Sequence, residues 1–170
     1  MPNYFQATEE RRLETSSTRE GEEKNELQRK RMPRRRFHQI VFLIAGFYNI
    51  GWGLFSAAFP QWLFRFAHMP DGNYPQIFAC LGMVVGVYGI LYWEVARRPE
   101  EGWLIAAVGM LGKVLGPLGL AQLILTHQWP PATLALCVTN DFLWWIPFGL
   151  YLYDAWPWFK TTLPKFGAPR

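Results

Sequence analysis

The chain has 170 residues, 51% of them hydrophobic and 17% aromatic against 18% charged, with a net charge of +4. A soluble domain of this length carries more charge than that on its surface. The charge is also segregated: ten of the 17 Lys and Arg lie between Arg11 and Arg36, and seven of the 13 acidic residues lie between Glu9 and Glu26, so the averages describe two different polymers.

Residues 1–36 hold few apolar side chains and strings such as TEERRLETSSTREGEEKNELQRKR. That is too little hydrophobic surface to offset the entropy of ordering, and a disordered cytoplasmic tail is expected. The tail ends in a polybasic segment, RKRMPRRRFH, with six cations just before the first apolar run. Beside a membrane span, anionic lipid head groups attract such a cluster by about 1 kcal/mol per charge. Arg34, Arg35 and Arg36 are therefore expected to touch lipid, and no nucleic-acid partner is expected.

From Gln39 the pattern changes to four apolar runs, at 39–59, 75–96, 103–126 and 132–156. Each is near the roughly 20 residues that cross about 30 Å of hydrocarbon as a helix. Buried helices of a soluble protein keep a polar face at helical period, and these runs have almost none. The expected fold class is all-α, an integral membrane four-helix bundle over 37–158, with a cytoplasmic tail at 159–170. The first run follows a long charged tail and continues to spanning length, so it reads as an uncleaved anchor.

The connections carry their own signals. Between the first two runs, PQWLFRFAHMP places Trp62, Phe66 and Met69 at i, i+4 and i+7, which fits a short interfacial helix, a lid over the bundle or a plain loop. The triplets PDG at 70–72 and WPP at 129–131 mark turns, and Pro75 suits a first helical position. Basic residues in the connections set the orientation: Arg34, Arg35 and Arg36 before the first run, Arg97 and Arg98 between the second and third, and Lys160, Lys165 and Arg170 after the fourth, against Arg65 alone elsewhere. Both termini are expected in the cytoplasm. Trp62, Tyr74 and Trp129 then fall at the outer interface, and Tyr92, Trp93, Trp103, Trp156 and Trp158 at the inner one.

Polar residues inside the runs are few and meet at one depth. Asn49, Lys113 and Asp141 each lie nine or ten residues into a helix, near the bilayer midplane at about 1.5 Å per residue. A lone charge there costs about 2.5 to 3.5 kcal/mol, so such groups face the protein interior and find partners. Lys113 and Asp141 are expected to pair, with Asn49 and Asn140 as hydrogen-bonding neighbours and Trp144 and Trp145 on the same broad side of the fourth helix. This cluster holds either a ligand head group, a proton site, or only the helix register. Small-residue stripes flank it: Gly46, Asn49, Gly53 and Ala57 on the first helix, Gly82, Gly86 and Gly89 on the second, and Gly109, Gly112, Gly116 and Gly119 on the third. Such stripes let helices approach closely in lipid. Pro117 cannot donate to the carbonyl four residues earlier, that of Lys113 itself.

Cys80 and Cys137 lie at similar depth and could form a redox pair if their helices touch. No HExxH, CxxC, GxxxxGK[ST] or GxGxxG motif occurs, and His38, His68 and His127 all sit at span ends, so no metal or nucleotide site is expected.

The elements AGFYNIGWG (45–53), CLGMVVGVYG (80–89), LGKVLGPLG (111–119) and NDFLWWIPF (140–148) resemble a family of small four-helix bacterial membrane proteins often labelled alkyl hydroperoxide reductase. The likeness covers residues 40–155, although the chain has neither the βαβ pattern nor the peroxidatic cysteine of the soluble enzymes of that name. A looser likeness is to the DoxX-like four-helix bundles, some of which associate with quinone or thiol redox systems. These resemblances imply a multi-pass protein of the inner, cytoplasmic membrane. Three function classes are open. The first is a non-enzymatic component, either an accessory subunit of a larger membrane complex or homo-oligomer, or a binder of a quinone-like or isoprenoid-like amphiphile whose head meets Lys113 and Asp141. The others are a thiol or quinone-linked redox enzyme and a small transporter or proton relay. The features lean away from an enzyme, and no resident cofactor is expected.

Overall fold

The computed structural model describes residues 32–162, together with Arg12, Glu22 and Glu26, which are helical. Most of the expected N-terminal tail, and the end of the chain beyond Thr162, lie outside the described residues. Among the described residues every regular element is helical, in the order α1 (Arg35–Ala58), α2 (Trp62–Phe66), α3 (Pro75–Arg97), α4 (Trp103–Leu125), a 3-10 turn (Pro131–Leu134), α5 (Ala135–Cys137), a π turn (Val138–Phe142) and α6 (Leu143–Thr162). Four helices are long and apolar enough to cross a membrane: α1, α3, α4 and the composite span Pro131–Thr161. The first begins four residues before the expected run and takes in Arg35 and Arg36, and the last runs on past the expected start of a C-terminal tail.

The helix ends follow local chemistry. Pro75 opens α3, where a missing N–H costs nothing. His127 takes φ 57 just after α4; its N–H donates to Ile124 O, and the next N–H donates from Gln128 to Leu123 O. His68 closes α2 in the same way at φ 54, with Met69 N–H donating to Phe64 O. Both are left-handed helix stops built on His, one of the side chains that enters this region more readily than most. Two of the three span-end histidines are thus accounted for by backbone geometry. The helix α2 is shorter than the i, i+4, i+7 spacing anticipated: it ends at Phe66, excludes Met69, and buries Leu63 while Phe66 stays exposed.

The spans are not packed uniformly. Helices α1 and α3 meet backbone to backbone: a Cβ on Gly89 would lie 2.5 Å from Gly46 O, and one on Gly53 would lie 2.6 Å from Gly82 O and 2.7 Å from the Gly86 Cα. The two expected stripes therefore form one antiparallel seam, seven residues separating Gly46 from Gly53 and Gly82 from Gly89.

The core fills one half of the bundle, the end at which α1 begins and α3 passes into α4. Phe42, Tyr92, Phe148 and Tyr151 are all nearly fully buried, with Phe42 centred 4.5 Å from Phe148 and 4.7 Å from Tyr151. Tyr92, expected at the interface, belongs to this block, being only 2% exposed and 5.2 Å from the Phe148 ring. Two ring tips in this half find backbone acceptors, while the buried His38 Nδ1 has none among the described residues. Tyr151 OH donates to Pro99 O at 2.7 Å and Trp103 Nε1 to Leu152 O at 2.9 Å.

At the same end, Arg34 donates to both oxygens of Asp154, at 2.6 and 2.8 Å, and His38 Nε2 lies 2.8 Å from Asp154 Oδ2. His38 and Asp154 are both buried. This direct hydrogen bonding holds the Arg34 guanidinium above its ordinary pKa. Arg35 binds Glu100 at 2.7 Å. Two of the three arginines expected at lipid head groups thus grip carboxylates of the protein, because α1 starts early enough to carry them over α6 and the α3–α4 connection; Arg36 makes no such contact among the described residues.

Candidate functional site

The other half of the bundle is hollow. A cavity of about 590 Å³ runs between α1, α3 and α4, lined by Asn49, Trp52 and Ser56 on α1, Tyr88 and Tyr92 on α3, Lys113 on α4, and Cys137, Asn140 and Asp141 on the fourth span. Its lining is otherwise apolar. Its far end lies beneath Leu63 of α2 and Trp129, and Phe64 braces this end with its ring 5.8 Å from Trp129 and 6.0 Å from Phe78. Toward the packed half it ends at Tyr92. One side is open: of its lining residues, Leu81 is 58%, Val84 56%, Val108 45% and Leu115 55% exposed, so α3 and α4 stand apart along this length.

The glycines of α4 have a role opposite to those of α1 and α3. A Cβ on Gly112 or Gly119 would meet nothing within 4 Å, and one on Gly116 would meet only Asp141 Oδ2, at 3.9 Å. Only Gly109 is closely covered, by the Tyr92 ring. The stripe expected to bring α4 against a neighbour instead makes room.

The polar cluster forms where the hollow half meets the packed one. The sequence Val-Thr-Asn-Asp is a run of weak helix formers, and the chain widens there into the π turn at Val138–Phe142. That widening presents backbone carbonyls to side chains: Lys113 Nζ donates to Asn140 O at 2.6 Å and Trp144 Nε1 to Thr139 O at 3.0 Å. Asn140 Nδ2 donates to Asp141 Oδ1 at 3.2 Å. On α4, the Lys113 carbonyl that Pro117 cannot reach accepts from Trp145 Nε1 at 3.0 Å. The Lys113 amine lies 5.7 Å from the Trp144 ring and 5.9 Å from that of Phe148, within cation–π range.

The expected Lys113–Asp141 pair therefore takes another form. Lys113 and Asp141 are both buried and line one cavity, but the amine is held by the Asn140 carbonyl, and the ion pairs among the described residues do not join the two side chains. Asn49 lines the same cavity. Trp144 and Trp145 stand behind the cluster and fix its backbone, and the aromatic walls are Trp52, Phe78, Tyr88, Tyr92 and Trp129. Cys80 lies on the exposed face of α3 while Cys137 is buried against Asp141, and both thiols are free. No family model, curated protein or solved structure matches this chain.

Two features were missed at the sequence level. Ser56, only 1% exposed, sits seven residues after Asn49 on the same face and lines the cavity, a spacing that was there to be seen. Asp154 was passed over because it sits near a span end, where a carboxylate needs no special explanation; only the fold brings it to His38 and Arg34.

Proposed function

We propose that this protein is a multi-pass membrane protein that binds a quinone-like or isoprenoid-like amphiphile in the cavity, its head at the Lys113, Asn140 and Asp141 cluster and its apolar part along α4. The observation that carries this reading is the pairing of an otherwise apolar, laterally open cavity with two buried ionisable groups, Lys113 and Asp141, at one end only. Ligand sites take this form, mostly apolar with a few convergent polar groups that fix orientation. Buried ionisable groups within spans commonly mark them.

The block of Phe42, Tyr92, Phe148 and Tyr151 favours binding over transport, since a pathway would have to breach the packed half. The separation of exposed Cys80 from buried Cys137 favours binding over a dithiol reaction. A binder of this size works as an accessory subunit of a larger membrane complex or as a homo-oligomer. Positive charge at the packed end, with Arg34, Arg35, Arg36, Arg97, Arg98 and Lys160, orients that end toward the cytoplasm of the inner membrane. Arg36, together with the exposed faces of the paired Arg34 and Arg35, is then available to anionic lipid.

Purification in a mild detergent followed by mass spectrometry of the extracted small molecules tests the reading. An amphiphile retained in stoichiometric amount supports it. A chain that arrives empty from every detergent, and stays empty after exposure to quinone and polyprenol mixtures, overturns it.

A further inference from the structure

The unmet hydrogen bonds of the cavity specify the head group of what it holds, an inference that rests on the ligand-binding reading above. Asn49 is 3% exposed and Ser56 1%, both line the cavity, and neither Asn49 Oδ1 nor Ser56 Oγ has a hydrogen-bond partner among the described residues. Asn140 Oδ1 is likewise buried and unmet. Ser56 lies about 10 Å further along α1, out of reach of a head group at Lys113. Buried polar atoms are nearly always satisfied, so Asn49 Oδ1 and Asn140 Oδ1 mark the place of a missing partner. Lys113 has three N–H groups and gives one to Asn140 O. Asp141 receives Asn140 Nδ2 on Oδ1 and also the Cys137 thiol, and its Oδ2 lies beside Gly116.

The cluster therefore presents two spare N–H donors on Lys113, unmet acceptors on Asn49 and Asn140, and one basic and one acidic group. An anionic head would be set against Asp141 and a cationic head against Lys113. A carbonyl oxygen could accept from Lys113 but would leave the orphan acceptors unmet. A hydroxyl group both donates and accepts, and it satisfies Asn49 whichever way that amide is turned. We propose that the cavity binds a neutral amphiphile whose head bears a hydroxyl group, a lipid alcohol or a quinol, seated between Lys113, Asp141 and Asn49 with its chain against Gly112, Gly116 and Gly119.

The test uses the full chain in phosphatidylcholine nanodiscs and three radiolabelled probes that share one chain: farnesol, farnesyl methyl ether and farnesyl phosphate. Saturable binding of farnesol, at least tenfold tighter than either other probe, is expected. Asp141→Leu should remove the preference, and Gly119→Leu, which puts a side chain where the ligand's chain would lie, should remove saturable binding of all three. Ether or phosphate binding as tightly as the alcohol, and still lost in Gly119→Leu, overturns the hydroxyl assignment while leaving the ligand-binding reading in place. Absence of saturable binding for every probe overturns both. The comparison among probes on the unaltered chain needs no variant, so a folding defect in either substitution does not rescue the proposal.

Discussion

The two halves of the bundle use the same materials, apolar helices rich in glycine and aromatic side chains, to opposite ends. Along the α1/α3 seam the glycines meet opposing backbone: Gly46 stands against Gly89, and Gly53 against Gly82 and Gly86. In the hollow half Gly112 and Gly119 face open space. A glycine in a long apolar helix is therefore not in itself a sign of helix contact; what stands opposite decides its role. The aromatic rings divide in the same way. Phe42, Phe148 and Tyr151 fill volume, whereas Trp52, Tyr88 and Trp129 bound a volume left unfilled.

Breaking the packed half should have the largest effect on stability. Phe148→Ala removes a fully buried ring in contact with Phe42, Tyr92 and Trp144. It should lower unfolding free energy by about 3 kcal/mol, near the low end for a buried aromatic because lipid does not penalise exposed apolar surface. Detergent-titrated unfolding followed by circular dichroism reads this directly. Asp154→Asn should come next, at about 2 kcal/mol, through its weakened charge-assisted bond to buried His38. The same titration checks it, with Arg36→Gln as a control expected to leave the midpoint in place.

At the junction of the halves, Lys113→Met leaves the Asn140 carbonyl without its side-chain donor and should cost about 1 kcal/mol. Its larger consequence should be loss of the bound amphiphile, measured by mass spectrometry of the purified variant. Gly112→Ala should have the least effect on stability, within about 0.5 kcal/mol, because the added methyl meets nothing. Any marked destabilisation there would mean that α4 packs more closely than its open face indicates.

The sequence made the four long apolar helices legible because a run of about 20 apolar residues is a strong and simple signal. It also grouped Asn49, Lys113 and Asp141, which line one cavity, since position along a helix is only a count of residues. It did not reveal the π turn, and so the Asn140 carbonyl as the partner of Lys113 was missed: a wider turn rotates every following side chain, and no apolar pattern records it. Nor did it separate a glycine seam from a glycine-lined cavity. That distinction depends on which helices diverge, and here they diverge beyond the aromatic block centred on Phe148, at the Lys113 end of the cavity. The link from Pro117 to the Lys113 carbonyl was foreseeable from proline chemistry, whereas the donor that answers it, Trp145, comes from a different span.

One pair of melting curves tests the division most directly. Gly53→Leu and Gly119→Leu add the same side chain to two glycines, one 2.6 Å from opposing backbone and one with no atom within 4 Å. Measured in one detergent, the first should melt far below the unaltered protein or fail to accumulate, and the second should melt at or near the unaltered temperature. Equal losses from both, or a greater loss at Gly119, would contradict the division into a sealed seam and an open cavity.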